Sequence, residues 1–315
     1  MLLKAVLDRG EAFMLLAFAT AALIMFSGDA QQEPTRLEDV TVTAEAGRHA
    51  ARVRVESFVQ QATRSPRGRP LARWDAPVCI SAVNFQRQFS QALIDRVARR
   101  MLEAGLDIEE TGCKPDLMII GSDDGQGLAR RMVADFAQGF RPSRANTDLG
   151  SAALRAFQES DAPIRWWHVS IPVVSDTGEE AIRLDGEDAP QVRVRDASRL
   201  RSNIRDKMHR VVIIIEPGRL TGVRGTALAD YVAFISMAQV DPVTRMEGFP
   251  TILNLLDDPA GYDSMTEWDQ DFLAGLYDVV QPRVTSEQQR GDIAAAVLRR
   301  RDAVAKSDAQ PVPQD

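Results

Sequence analysis

Three observations predict an α+β fold, a small mixed sheet with helices packed on it. Asp116–Gly121 and Val211–Ile215 are short, continuous apolar runs closed by turn residues, as buried strands are. Residues 87–104 repeat apolar side chains every fourth position (Phe89, Leu93, Val97, Met101), the period of one helix face. The chain as a whole shows more helix than strand, which fits α+β or a mixed α/β arrangement.

The elements follow in order. Residues 31–50 are polar except for Val40-Thr41-Val42-Thr43, whose β-branched side chains favour extended backbone, so a mobile tail with one strand-competent segment is expected. Residues 53–62 predict a short helix packing Val55, Phe58 and Val59, and Ser65–Pro70 a turn. Leu71–Val83 reads as extended, with Pro77 marking an edge or an irregular start. The 87–104 helix, with Arg96, Arg99 and Arg100 facing out, stops at Gly105. The strand at 116–121 completes a βαβ unit. Residues 126–158 are helical with breaks at Pro142 and Gly150, and Ile164–Val174 is a strand. Residues 175–192 read as a hairpin loop, and Ser198–Lys207 as a polar helix capped by Ser198. Val211–Ile215 is the central strand. Thr226–Gln239 is an apolar helix ended by Pro242, and Thr251–Leu256 a short apolar segment. Thr266-Glu267-Trp268-Asp269 has the form of a capping box opening the next helix, and Ser286 opens the last. Residues 307–315 are polar and read as a disordered tail. One domain over 51–306 is expected, with a subdivision near 160–195 as the alternative.

At the N-terminus, Lys4 and Arg9 precede an apolar run from Ala12 to Phe26, with small residues at Gly28 and Ala30. A basic flank, an h-region of about 15 residues and a small-x-small site are the marks of a secretory signal peptide. The run is shorter than the roughly 20 apolar residues of a membrane span. The expectation is therefore export to the periplasm or beyond, with cleavage near Ala30. The two cysteines, Cys79 and Cys113, would then be bridged in an oxidising compartment, closing a loop of about 35 residues worth about 3–4 kcal/mol.

The formal charge is −7, and removing residues 1–30, which carry a net −1, leaves −6. The arginine clusters are interleaved with acids, which argues against nucleic-acid binding. No metal or other cofactor is expected, because His49, His168 and His209 are too scattered for ligand spacing. Gly121–Gly127 lacks the Lys-Ser/Thr of a phosphate loop and reads as a strand-to-helix turn. No nucleophile elbow is present, and Asp269 and Asp271 do not share a helix face. The chain is only 6% aromatic, which makes Trp166-Trp167-His168 a dense cluster. On a strand Trp166 and His168 share one face and Trp167 takes the other, so one side is core and the other a candidate binding surface.

The order Val211–Ile215, Ser236-Met237-Ala238-Gln239, Thr251-Ile252-Leu253-Asn254, Thr266–Asp269 and Leu273–Asp278 resembles a family of exported bacterial proteins similar to zinc metallopeptidases. Where that family carries His-Glu, this chain has Ile235 and Ser236, neither of which ligates zinc or activates a metal-bound water. The resemblance covers about 70 residues and implies a degenerate zincin-like C-terminal half. The whole chain resembles a group of exported alphaproteobacterial proteins of unknown function. The shared features are Leu71–Asp75, Val78-Cys79, Cys113, Arg165–His168 and Leu228–Ala233. That likeness implies the domain boundaries and the disulfide, and no activity. Leu37–Ala44 resembles the TonB box of outer-membrane receptors, which implies that Val40, Thr41, Val42 and Thr43 add as a strand to a periplasmic partner. The plug and barrel of such receptors are missing here.

The expected function is an exported, non-catalytic binding or accessory module. The alternative is a hydrolase derived from the metallopeptidase-like scaffold, with Asp230, Gln239 and Asp269 as the residues to test.

Overall fold

The computed structural model describes residues 37–143, 146–182, 184, 202–279 and 285–308, with 37–44 and 305–308 described by backbone alone. Residues Met1–Ala44 and Glu45–Asp315 form separate compact units. The helices are α1 (Leu37–Ala62), α2 (Arg87–Glu103), α3 (Gly125–Asp135), α4 (Ala137–Phe140), α5 (Ser151–Glu159), α6 (Gly225–Met237), α7 (Glu267–Asp278) and α8 (Ser286–Asp308). The strands are β1 (Ile80–Val83), β2 (Leu117–Gly121), β3 (Ile164–Val174) and β4 (Ile204–Ile215). Among the described residues no helix is long and apolar enough to cross a membrane.

The four strands form one mixed sheet in the order β1-β2-β4-β3, and the fold is α+β. β1, β2 and β4 run parallel, and β3 is antiparallel to β4. β4 is central, which is why Val211–Ile215 is apolar at every position: both of its faces are covered. On one face Leu117, Ile119, Val211, Ile213, Ile164 and Trp166 meet α2 and α6, with α1, α7 and α8 extending the same core. On the other, Ile120, Val212, Ile214, Trp167 and Val169 meet Ala129, Phe140, Leu154 and Phe157 of α3, α4 and α5. Cys79 and Cys113 are bridged, with Cα atoms 5.9 Å apart, tying the starts of β1 and β2 together. Thr266 and Asp269 form the expected reciprocal capping box of α7.

Several expectations are corrected. The chain is helical from Leu37, so Val40, Thr41, Val42 and Thr43 lie in α1 rather than in an extended tail. Four β-branched residues cost only a few tenths of a kcal/mol each in a helix, and the Ala-rich stretch from Ala44 to Ala51 outweighs them. Leu71–Cys79 is not a regular strand: Gln289 Oε1 accepts from Leu71 N, and Gln239 Oε1 from Ala72 N. With its main-chain groups taken by side chains, this segment makes only single bridges, at Arg73 and Val78. The polar helix expected over Ser198–Lys207 fails where it is described, since Ile204–Lys207 begins β4. Its period-2 pattern is disguised because one buried position is Asp206, which is ion-paired with Arg69. Arg96 and Arg100 do not simply face out; both turn onto buried Asp230. The expected signal peptide, and the tail beyond Asp308, lie outside the described residues.

Candidate functional site

The Trp-Trp-His cluster is packed on both sides. Trp166 and His168 do share a face, as the strand period requires, but that face is roofed by α6. Trp166 Nε1 donates to Val240 O at 3.0 Å, and His168 Nε2 lies 2.7 Å from Ile235 O. A carbonyl only accepts, so Nε2 carries the proton of a neutral ring. Burial pushes the His168 pKa down to about 4. On the opposite face Trp167 Nε1 donates to Phe140 O at 2.8 Å, and its ring meets Phe157. All three residues are buried, and both indole N–H groups and the His168 Nε2–H serve main-chain carbonyls. They staple three layers together and border only a small cavity of about 90 Å3, shared with Arg165 and the exposed Arg64–Asp241 pair.

Asp230 of α6, Gln239 just beyond it and Asp269 of α7 are likewise enclosed. Asp230 accepts from Arg96 Nε at 2.6 Å, Arg100 Nη2 at 2.7 Å and Met265 N at 2.7 Å. Burial alone would raise its pKa, but the two guanidinium groups and the amide outweigh burial and hold it below the ordinary carboxylate value. Gln239 anchors Ala72, as above. Asp269 accepts from Thr251 Oγ1 at 2.5 Å, Ile252 N at 2.8 Å and Thr266 N at 2.9 Å. Burial pushes its pKa up to about 6 against the pull of those bonds. Asp230 ties α2 to α6 and to the entry of α7, and Asp269 ties the turn at 251–254 to the start of α7. At the positions where the resembling family carries His-Glu, Ile235 and Ser236 are buried, and Ser236 donates to Ala233 O. Among the described residues no three His, Cys, Asp or Glu side chains converge as a metal-binding group.

A wider concave surface lies elsewhere. A cleft of about 770 Å3 runs between the segment Arg73–Pro77, the end of α2, and the α7–α8 pair. Its floor is built by close approach. Gly275 has no room for a side chain, since a Cβ there would lie 2.8 Å from Val297 Cγ2 of α8. Gly105 turns the chain out of α2 with φ of +81°, a conformation glycine adopts freely. Arg73 fixes one end: its Nη1 donates to Leu276 O, Tyr277 O and Val279 O, satisfying carbonyls that the end of α7 leaves open. Tyr277 OH donates to Met237 O.

The rim carries charges of both signs. Arg299 and Asp278 stand 3.8 Å apart and are both mostly exposed. Arg300 Nε donates to Asp271 at 3.0 Å. Asp75 is held by Arg205 and Lys207, and Glu103 by Arg100. A smaller cavity of about 250 Å3 shares Glu103, Ala104, Ala274 and Arg300, so the concave surface continues along α7 toward Met265. Among the described residues no nucleophile–base pair stands on these walls.

Sequence reasoning missed this cleft. Its walls come from four stretches far apart in the chain, each reading as ordinary polar surface. The Arg299-Arg300-Arg301 run was its one local signal. Set against protein-family models, curated proteins and solved structures, the chain matches none of them.

Proposed function

We propose that the protein is an exported, non-catalytic binding module of the cell envelope. Its ligand is a segment of a partner polypeptide bearing charges of both signs, seated in the cleft between Arg73–Pro77 and α7–α8. The observation that carries this reading is the rim. Loosely paired Arg299 and Asp278 stand over a floor held rigid by the Gly275–Val297 contact and by the three bonds of Arg73. Exposed pairs of this kind are worth roughly 0–1 kcal/mol, so exchanging them for pairs with a ligand costs little. The volume lies within the roughly 300–1,000 Å3 of ordinary ligand sites.

The double variant R299E/R300E tests the reading. Both side chains are at least half exposed, so thermal stability should hold. Wild-type protein should cross-link to an envelope partner through a photoreactive residue placed at Asp107, an exposed position on the cleft wall, and the variant should not. Equal cross-linking by both would overturn the proposed cleft.

A further inference from the structure

The sheet leaves one edge open. In the parallel β1–β2 ladder, Leu117 N donates to Cys79 O at 3.0 Å, and Ile80 is in register with Leu117. Main-chain groups alternate along such a ladder, so those of Cys79, Ser81 and Val83 face β2, and those of Ile80 and Ala82 face away from the sheet. The outer side of Val78 is already occupied: Val78 N donates to Asp107 O, and Glu109 N to Val78 O. The open stretch therefore begins at Ile80. It ends at Asn84, whose φ of +61° turns the chain away. Ile80-Ser81-Ala82-Val83 contains neither a charge nor a proline, the devices that usually blunt an edge.

An apolar surface adjoins this edge. Helices α3, α4 and α5 lie over β3 and β4 and reach Ile120 of β2, and among the described residues the β1 end of that face is bare. Val83 is 47% exposed there and Phe136 66% exposed. Between Phe136 and the sheet lies a groove of about 670 Å3 lined by Met118, Met132, Phe140 and Val212.

We propose that β1 is a self-association edge on which a second copy of this chain pairs antiparallel, β1 against β1, about a two-fold axis at Ser81. Ile80 of each copy then stands opposite Ala82 of the other. The two pairs exchange four main-chain hydrogen bonds, using every outward-facing group of the stretch. The axis makes one patch its own complement, as a two-fold requires. The fit is also bounded at its ends. The chain leaves at Asn84 just before it would meet the strand position held by Ile108 of the other copy. Arg87, where α2 begins, is thereby carried toward Glu109 and Glu110 of the other copy. The result is a continuous eight-stranded sheet, with the two bare ends of that face side by side.

The experiment is sedimentation equilibrium of the oxidised protein purified from its native cells, over roughly 1–300 µM, the span in which a modest interface shows itself. A concentration-dependent dimer is expected. A82P removes an N–H that β1 does not use in its own ladder, and should weaken the dimer by about tenfold or more with the disulfide and circular dichroism unchanged. If A82P loses its fold, V83K decides: it places a charge on an exposed position beside the axis and should weaken the dimer in the same way. A monomer throughout the range, or a dimer indifferent to V83K, would overturn the proposal. R299E/R300E should leave the dimer intact, which separates this surface from the cleft.

Discussion

Strands β1 and β3 both border the sheet, and the chain finishes them differently. β3 is eleven residues long and buried at every position. From Ser170 onward its outer groups are met: Ser170 N donates to Thr147 O, Ala181 N to Pro172 O, and Val174 N to Glu179 O. Trp166, Trp167 and His168 fasten it to the layers above and below. β1 is four residues long, partly exposed, and carries a bare apolar face beside it. An edge strand exposes the same main-chain chemistry wherever it stands. What differs here is the amount of chain spent covering it. The aromatic cluster that reads as a binding surface in the sequence belongs to the covered edge, whereas the open main-chain groups lie along plain Ile-Ser-Ala-Val.

Four changes would break or sharpen that contrast. The largest effect is expected from Trp167→Ala. It opens a cavity between α5 and the sheet and leaves Phe140 O unpaired, and should cost about 3–5 kcal/mol in chemical denaturation. A loss below 1 kcal/mol would mean that β3 is not sealed as described.

Next comes removal of the Cys79–Cys113 bridge by the paired serine variant, expected to cost about 3–4 kcal/mol. The damage should concentrate at β1, whose first residue follows Cys79. Loss spread evenly across the sheet would contradict that.

The third is acid sensitivity of the covered edge. His168 has a folded-state pKa of about 4 against 6.5 when unfolded. The unfolded chain therefore binds the proton more readily between those values. Stability is full above pH 6.5, falls as pH drops toward 4, and is flat below, an effect of up to about 3 kcal/mol. His209, likewise pushed down to about 4 by burial, adds in the same direction. Asp269, raised to about 6, takes up its proton more readily when folded and opposes them below pH 6. His168→Gln keeps a donor for Ile235 O and should shrink the acid loss, measured as midpoint against pH. An unchanged slope would remove His168 from the account. The smallest effect belongs to the open edge, where Val83→Ser should shift stability by no more than about 0.5 kcal/mol.

Much of this fold is legible in the residues. The β1–α2–β2 unit follows from the four-residue period of Phe89, Leu93, Val97 and Met101 between two apolar runs. The α7 start follows from Thr266 and Asp269, and the staple from an even pair of cysteines. Two of the failures share a cause. Asp206 fills a buried strand position because Arg69 neutralises it, and Arg96 and Arg100 reach inward because Asp230 awaits them. Long-range ion pairs of this kind are invisible to local periodicity. Asp230 and Asp269 stand out as polar residues on helices with apolar faces, and Gln239 as one just past the end of α6, and that signal is real. It marks groups that hold main chain and guanidinium in place, which a sequence does not distinguish from groups that meet a ligand. The cleft left no signal beyond its arginine run, because concavity arises only when distant segments meet.

Residue-resolved amide hydrogen exchange, measured where the protein is monomeric and again at high concentration, tests the contrast between the edges most directly. The amides of Ile80 and Ala82 should exchange orders of magnitude faster than those of Ser170 and Val174, the outward amides of β3 with bonded partners, in dilute solution, and should gain protection on concentration. Equal protection of the two edges in dilute solution, or faster exchange along β3, would contradict it.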